Sequence, residues 1–455
     1  MRQTGYCLWK LRRGLATSLV LGCLAIAARS SLADSPIPET KPSNPDGLTL
    51  NEAIVLALER NPELAAFRQQ RGIAAAVVVI AETYPFNPLW EARVQANSGP
   101  ASAGITNLVA NEHLVLTELE IRGQGTYRRE AAYAAQTRSE WEIAHQEILL
   151  SIRVIRAFQS VLYRQEKVDL LNQTIELDQG TLDLVGSLVK QGKLHGPDEI
   201  LARTELNDVR AQLGTAQANL ISARYELRRS LGIVGELLKL QGKLEAPLLS
   251  WTEAELMPVA WERRADRRGR EMATAEAEAK LGLERANRFG NPTFGPAFTY
   301  DPTRVSEIGA QLNLPLPAFN THRGEILQRE AELERARLDL RQVDVSIRQD
   351  VQSALARLDR ANALVYTYRK ETLPTLESAV RELEKLLKSG DPNVNVLHVI
   401  DTRRKELKAR DGYLDALWEL WQARADVAAA IGDPALAVLS WNPEDKKDSA
   451  PKPVK

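Results

Sequence analysis

The 455 residues carry 59 Lys and Arg against 60 Asp and Glu, a formal net charge of -1, with 44% hydrophobic and 26% charged residues. That balance fits a folded chain with a water-exposed surface and gives no electrostatic basis for binding nucleic acid. Both cysteines, Cys7 and Cys23, lie near the N-terminus, so the rest of the chain has no thiol for a disulfide, a thiolate metal site or a cysteine nucleophile.

At the N-terminus, Arg2, Lys10, Arg12 and Arg13 precede an apolar run from Leu15 to Ala28, and Ser31-Leu32-Ala33 follows as a small-x-small cleavage pattern. A secretory signal peptide is expected over residues 1–33. A second reading makes Cys23 the lipidated residue of a lipoprotein signal, although Leu21 is a poor small residue and the apolar run continues past the cysteine. The run is shorter than the ~20 residues a membrane helix needs. Removing the leader's five basic residues leaves 54 basic against 60 acidic side chains.

Residues 34–47 hold Pro36, Pro38, Pro42 and Pro45 and read as an extended linker. A helix follows, capped by Thr49 or Asn51, interrupted at Pro62 and continuing to about Thr83. Then Trp90, Ala92, Val94 and Ala96 alternate with Glu91, Arg93, Gln95 and Asn97, the period of a strand with one apolar and one polar face. A second, less regular strand is expected from about Ile105 to Leu119. Beyond it come a long helix from about Thr126 to Gln191, a turn through Gly192 and Pro197, and a helix from Asp198 to Leu231.

The second half repeats this plan. Asn61-Pro62-Glu63 recurs as Arg264-Ala265-Asp266, Asn87-Pro88 as Asn291-Pro292, Arg122-Gly123 as Arg323-Gly324, Gly192 as Gly390 and Leu231-Gly232 as Ile431-Gly432, at offsets of 203, 204, 201, 198 and 200. The expected organisation is a first repeat over 48–232, a connection over 233–255, a second repeat over 256–432 and a tail without fixed structure over 433–455. In the second repeat Phe294, Phe298 and Tyr300 mark the third strand, and Ile308, Ala310, Leu312 and Leu314 the fourth.

Gly324 to Ser389 reads as one helix of 66 residues, with apolar residues from Leu333 to Tyr368 spaced by alternating threes and fours and one stutter. At ~1.5 Å per residue it is roughly 100 Å long, far more than an ordinary globular domain needs. Pro374 is the expected bend. In the first repeat the two half-length helices nearly match the long one in length, so they can stack end to end beside it.

Past the leader, the longest uninterrupted apolar run, Ile73 to Ala81, is nine residues. Any membrane crossing therefore falls to the strands, which at roughly ten residues have a suitable length. Four strands are too few to close a barrel in lipid, where the smallest have about eight, so a barrel implies several chains. The competing reading is two hairpins on the end of a soluble coiled coil.

Several stretches resemble TolC-type outer-membrane efflux proteins: LTLNEAIVLALERNPEL their opening, LNLPLPAFNTHRGEILQREAE their entry from fourth strand to long helix, KQGKLHGPDEILARTELNDVRAQL their first tip, and LKSGDPNVNVLHVIDTRRKELKARDGYLDALWELWQARADVAAAIG their second tip and return helix. The resemblance covers about Leu48 to Ile431, with a weak lean toward the metal-cation-efflux branch in NPLW and FNTHRGEI. It implies a mainly α fold with a small β part. Three chains would form an α-helical periplasmic tunnel joined to a 12-stranded outer-membrane β-barrel, four strands per chain. The expected role is the passive duct of a tripartite efflux system, partnered by itself as a homotrimer, by a periplasmic membrane-fusion adaptor, by an inner-membrane pump and by outer-membrane lipid. A soluble periplasmic coiled-coil adaptor or scaffold is the alternative.

The same resemblance implies adaptor-docking tips at Gly192, Lys193, Leu194, Gly390 and Asp391, and a periplasmic gate at Asp198, His398 and Asp401. In the gate, a ring of carboxylates would narrow the closed end and favour cations. His398 stands three residues before Asp401, and Asp391-Pro392-Asn393 lengthens the second turn, both departures from the family pattern. His195 and His398 lack a second ligand at metal-site spacing, and His113, His145 and His322 have no catalytic arrangement around them. No enzyme activity, cofactor or metal site is expected.

Overall fold

A computed structural model describes residues 47–99, 102, 109–192, 194–235, 239–244, 247–389 and 396–438. The leader with Cys23, together with Lys193, Gly390 and Asp391, lies outside the described residues.

The first helical stretch is three helices. In α1 (Leu50–Arg60) Thr49 is the cap: the Glu52 N–H donates to Thr49 Oγ1 at 3.3 Å and the Thr49 N–H donates to Glu52 Oε2 at 2.9 Å. Asn61, held extended as the residue before a proline, ends α1 and caps α2 (Pro62–Arg68), its Oδ1 accepting from the Leu64 N–H at 3.0 Å. α3 spans Gln70–Glu82. The strands β1 (Leu89–Ala96) and β2 (Val109–Glu118) follow, then α4 (Gln124–Lys190) and α5 (Gly196–Leu231). After α6 (Glu253–Arg263) and α7 (Ala265–Asn287) come β3 (Thr293–Tyr300) and β4 (Ser306–Asn313).

The long helix expected from Gly324 to Ser389 is not continuous. α8 (Arg323–Thr367) passes through a π turn at Tyr368–Thr372 into α9 (Leu373–Ser389), where the Leu373 N–H donates to the Tyr368 carbonyl. Pro374 explains the position: it has no N–H for the carbonyl one turn back and its ring crowds that carbonyl, so the backbone widens just before it. α10 (Val396–Ile431) returns, and α11 (Ala435–Val438) adds one turn with Leu436 and Ala437 buried, so fixed structure runs a few residues into the expected tail.

The four strands form one antiparallel sheet in the order β1-β2-β3-β4. Their register puts Trp90, Val94, Val115, Phe294, Phe298, Ile308 and Leu312 on one face, with Asn111 and Thr117 among them, and Glu91, Arg93, Gln95, Glu112, Thr299, Glu307 and Gln311 on the other, where Leu114 and Leu116 also fall. Arg93 and Glu112 pair at 3.2 Å on the polar face; on the apolar face the His113 ring lies between Trp90 and Phe298, with centroids 5.9 and 6.3 Å away. β1 and β4 are edge strands.

The main core lies where α1, α4, α5, α6, α8 and α10 meet, around Ile155, Phe158, Leu231, Ile347, Leu358 and Leu420. Here the half-length helices stack end to end as their lengths suggested. The end of α5 seats on the α1–α2 junction: Gly232 has φ +69°, and a Cβ there would lie 2.8 Å from both the Arg60 carbonyl oxygen and the Asn61 Cα. Asn61 Nδ2 donates to the Ser230 carbonyl at 2.9 Å. The equivalent joint in the second half sets Gly432, φ +79°, against Arg264, 3.3 Å from its Cα by the same measure.

Candidate functional site

At the end of the helices away from the sheet, α4 stops at Gly192, whose φ of +72° suits a glycine and whose N–H donates to the Val189 carbonyl at 3.0 Å. Leu194 folds back against a small apolar cluster made by Val185 of α4, Ala202 of α5 and Val399 and Ile400 of α10. That cluster joins the first helical hairpin to the second.

The three residues expected at the gate stand in different settings. Asp198 is half-buried in the first turn of α5 and accepts from the His195 N–H at 3.0 Å, so its carboxylate stabilises a helix start. His398 and Asp401 are exposed on α10, one turn apart. Lys405 Nζ sits 2.7 Å from Asp401 Oδ2; its hydrogen bond, aided by the charges of Arg404 and His398, holds the Asp401 carboxyl below the usual carboxylate range.

Beside these residues lies a set of arginine contacts not anticipated from the sequence. Arg403 of α10 donates to the Leu177 carbonyl of α4 at 3.0 Å and to Thr181 Oγ1, and its Nε and Nη2 donate to Glu384 Oε1 of α9 at 3.1 and 2.6 Å. Asp178 Oδ1 is 3.7 Å away; burial pushes the Asp178 carboxyl up, against the pull of Arg403. Arg404 reaches Glu205 of α5, Nε to Oε1 at 3.0 Å, and Arg410 joins Glu377 of α9 at 3.2 Å and Glu406 at 2.8 Å. Nearer the core, Lys167 of α4 bridges Asp411 and Asp415 of α10, both at 2.8 Å. α10 is thus tied by charge to α4, α5 and α9. The adjacent arginines after Asp401 were visible in the sequence; their partners, 19 to 226 positions away, were not.

Two open grooves flank this clasp, one of about 660 Å³ between α5 and α10 over α4, the other of about 350 Å³ between α4 and α9. The histidines are dispersed. His322 Nδ1 lies 3.2 Å from Glu284, and His145 is half-buried, its imidazole pulled down by burial and by the Arg264 charge, against Asp266. Among the described residues no group of three or more His, Cys, Asp or Glu could hold a metal ion. The arrangement positions and ties helices.

Comparison with known proteins adds the following. Residues 259–433 match the family of outer membrane efflux proteins. Over 433 residues the chain is 25% identical to the cobalt-zinc-cadmium resistance protein CzcC of Cupriavidus metallidurans, covering 92% of this chain and 98% of that protein. Among solved structures, CusC superposes with a TM-score of 0.71 at 17% identity, over 88% of this chain and 96% of that one. The open MtrE channel of Neisseria gonorrhoeae gives 0.68 at 19% identity, over 85% and 89%, and the OprN channel 0.67 at 16%, over 84% and 89%.

Proposed function

We infer that this chain, a member of the TolC-type outer-membrane efflux protein family, works as a homotrimer that carries divalent metal cations through the outer membrane. The chain is an outer-membrane channel of a tripartite efflux system and not a soluble adaptor. The trimer, its partners and its cargo are what we add.

The observation that carries the trimer is the sheet. It has an apolar face suited to lipid, a polar face suited to a water-filled lumen, and open edges at β1 and β4. Open edges are not tolerated in hydrocarbon, and about eight strands is the least that closes, so β4 of one copy pairs with β1 of the next. Three copies give a barrel of twelve strands, four from each chain. The helices below form the tunnel wall. Its far end, at Gly192, Lys193, Leu194, Gly390 and Asp391, docks on a periplasmic adaptor that couples the duct to an inner-membrane pump. Asp198, His398 and Asp401 line the constriction, where exposed carboxylates favour cations. The leader over residues 1–33 directs export, and the two repeats supply equivalent halves of each third of the tunnel. The duct is passive and catalyses no reaction.

Likeness to CzcC along nearly its whole length supports cobalt, zinc and cadmium as cargo. A deletion strain should lose growth on those metals while keeping its tolerance of dyes and detergents. Loss of drug tolerance with metal tolerance intact would overturn the cargo assignment.

A further inference from the structure

The apolar face of the sheet runs on past the last paired residues. On β4 pairing ends at Asn313, yet the spacing of two that sets Ile308, Ala310 and Leu312 on that face continues through Leu314 and Leu316, which are 62% and 83% exposed. Phe319, three residues further, is fully exposed. Pro315 and Pro317 explain why the segment leaves the ladder, since a proline has no N–H to give a neighbouring strand. The same prolines suit it to a lipid boundary: of the five backbone units from Leu314 to Ala318, two carry no N–H and a third, Ala318, donates to the Leu316 carbonyl at 2.8 Å. Few donors are left to desolvate. Length gives the extension a purpose. β1, β3 and β4 have eight residues each, fewer than the roughly 9–11 of a tilted membrane strand, so the row through Leu314 and Leu316 widens the apolar band at its periplasmic border.

This segment is seated on a cationic cluster. Pro315 packs on Gly290, which has φ +67° and whose Cβ, if added, would lie 2.9 Å from Pro315 Cγ. The residue before it, Phe289, is an exposed ring flanked by two arginines, with Arg122 Cζ 4.4 Å and Arg288 Cζ 5.5 Å from its centroid. Arg122 Nη1 also donates to the Gly290 carbonyl at 3.3 Å. Neighbouring arginines are neutralised, Arg285 by Glu330 at 2.7 Å and Arg128 by Glu120. Among the described residues Arg122 and Arg288 form no ion pair, so two guanidiniums stand exposed beside an apolar row without an anion.

We propose that the β4–α8 connection and the Arg122, Phe289 and Arg288 cluster form one binding surface for glycerophospholipids of the periplasmic leaflet. Leu314, Leu316 and Phe319 lie among the upper acyl carbons, and the guanidiniums take the phosphate. An apolar and aromatic row bordered by cations is the chemistry of a membrane boundary, and the guanidinium fork matches phosphate oxygens. The surface rests on the reading of the sheet as part of a membrane barrel, and adds where the chain holds lipid and through which groups.

The test uses the full-length protein in proteoliposomes of phosphatidylethanolamine and phosphatidylglycerol. Ala310→Cys, Leu316→Cys and Phe319→Cys are made singly, the chain having no cysteine past Cys23, and each is labelled with an environment-sensitive fluorophore. The surface predicts that the two connection labels are quenched by lipids carrying a nitroxide near the headgroup and little by aqueous iodide, while the strand label on Ala310→Cys is quenched by nitroxides deeper in the chains. Connection labels open to iodide, or reached by neither quencher because a second copy covers them, overturn the surface and leave the barrel standing if the strand label still meets lipid. A strand label beyond reach of every lipid nitroxide overturns the barrel, and the surface with it. Charge is read separately, by native mass spectrometry of the protein released from the same liposomes. Arg122→Gln and Arg288→Gln should each lower the phosphatidylglycerol retained about fivefold, while Arg122→Lys and Arg288→Lys keep most of it. Retention unchanged in the double glutamine variant would overturn the phosphate contact.

Discussion

The Tyr368 phenol lies directly over the backbone of Gly412, so close that a Cβ at 412 would stand 2.6 Å from the hydroxyl oxygen. Tyr368 opens the π turn and Gly412 faces it from the returning helix α10. Two effects compete in Gly412→Ala. A helix gains up to about 1 kcal/mol from Ala over Gly, whereas overpacking costs about 1–3 kcal/mol. Because the obstructing atoms belong to a ring held at the π turn, the net change should be destabilising, read as an earlier midpoint in thermal or denaturant unfolding. Adding Tyr368→Phe should recover part of the loss, since it removes the nearest atom.

Arg403→Ala should loosen the far end of the helices. The side chain is mostly buried and serves Leu177, Thr181 and Glu384 together, and its removal leaves Asp178 without its compensating charge. Losing a partly buried charged partner costs about 1–3 kcal/mol locally. Backbone hydrogen exchange in α9 and the start of α10 should rise, as should conductance across planar bilayers, with Arg403→Lys falling between.

Asp401→Ala should weaken block of the channel by divalent cations added on the tip side of a planar bilayer. Asp401 is exposed and its carboxyl lies below the usual range, so it is charged at neutral pH with or without Lys405; Asp401→Asn should behave like the alanine variant while Lys405→Ala keeps the block. Block identical to the unaltered protein in Asp401→Ala would remove Asp401 from the constriction.

A pH dependence follows from Asp266. Burial opposes its charge, but the hydrogen bond and charge of Arg264 prevail and hold the carboxyl below the usual range. A carboxyl lowered on folding stabilises the native state above its unfolded value, about 3.9, and that contribution fades as pH falls through the folded value. Asp266→Asn should therefore be less stable than the unaltered protein at pH 7, with the difference shrinking as pH drops below about 4. An equal difference at all pH values would mean that the contact acts through packing.

Much of the fold was legible because it depends on local periodicity. The alternation at Trp90, Ala92 and Val94 and at Ile308, Ala310 and Leu312 located strands whose ends fall within a residue or two of those observed. Of the two expected caps, Thr49 and Asn51, the structure uses Thr49. The repeat offsets hold in space as well, since Gly232 and Gly432 seat on equivalent helix junctions. Less local features did not show. The break at Asn61 was foreseen from Pro62, whereas at Pro374 the sequence suggested a bend and the structure has a π turn at Tyr368–Thr372, whose Tyr368 packs on Gly412 of another helix, a contact no local pattern shows. Residues 105–108, the start of the expected second strand, lie outside the described residues, and β2 begins at Val109. At the tip, the carboxylates could be named from resemblance, but the arginines that tie α10 to its neighbours needed the fold to bring Leu177 and Thr181 beside Arg403.

The most direct test of the central claim is single-channel recording on protein extracted from outer membranes, with native mass spectrometry of the same sample. The account predicts discrete, cation-selective conductance steps from particles of three chain masses. A single-chain mass with no conductance, or recovery of the protein in the soluble periplasmic fraction, would contradict it.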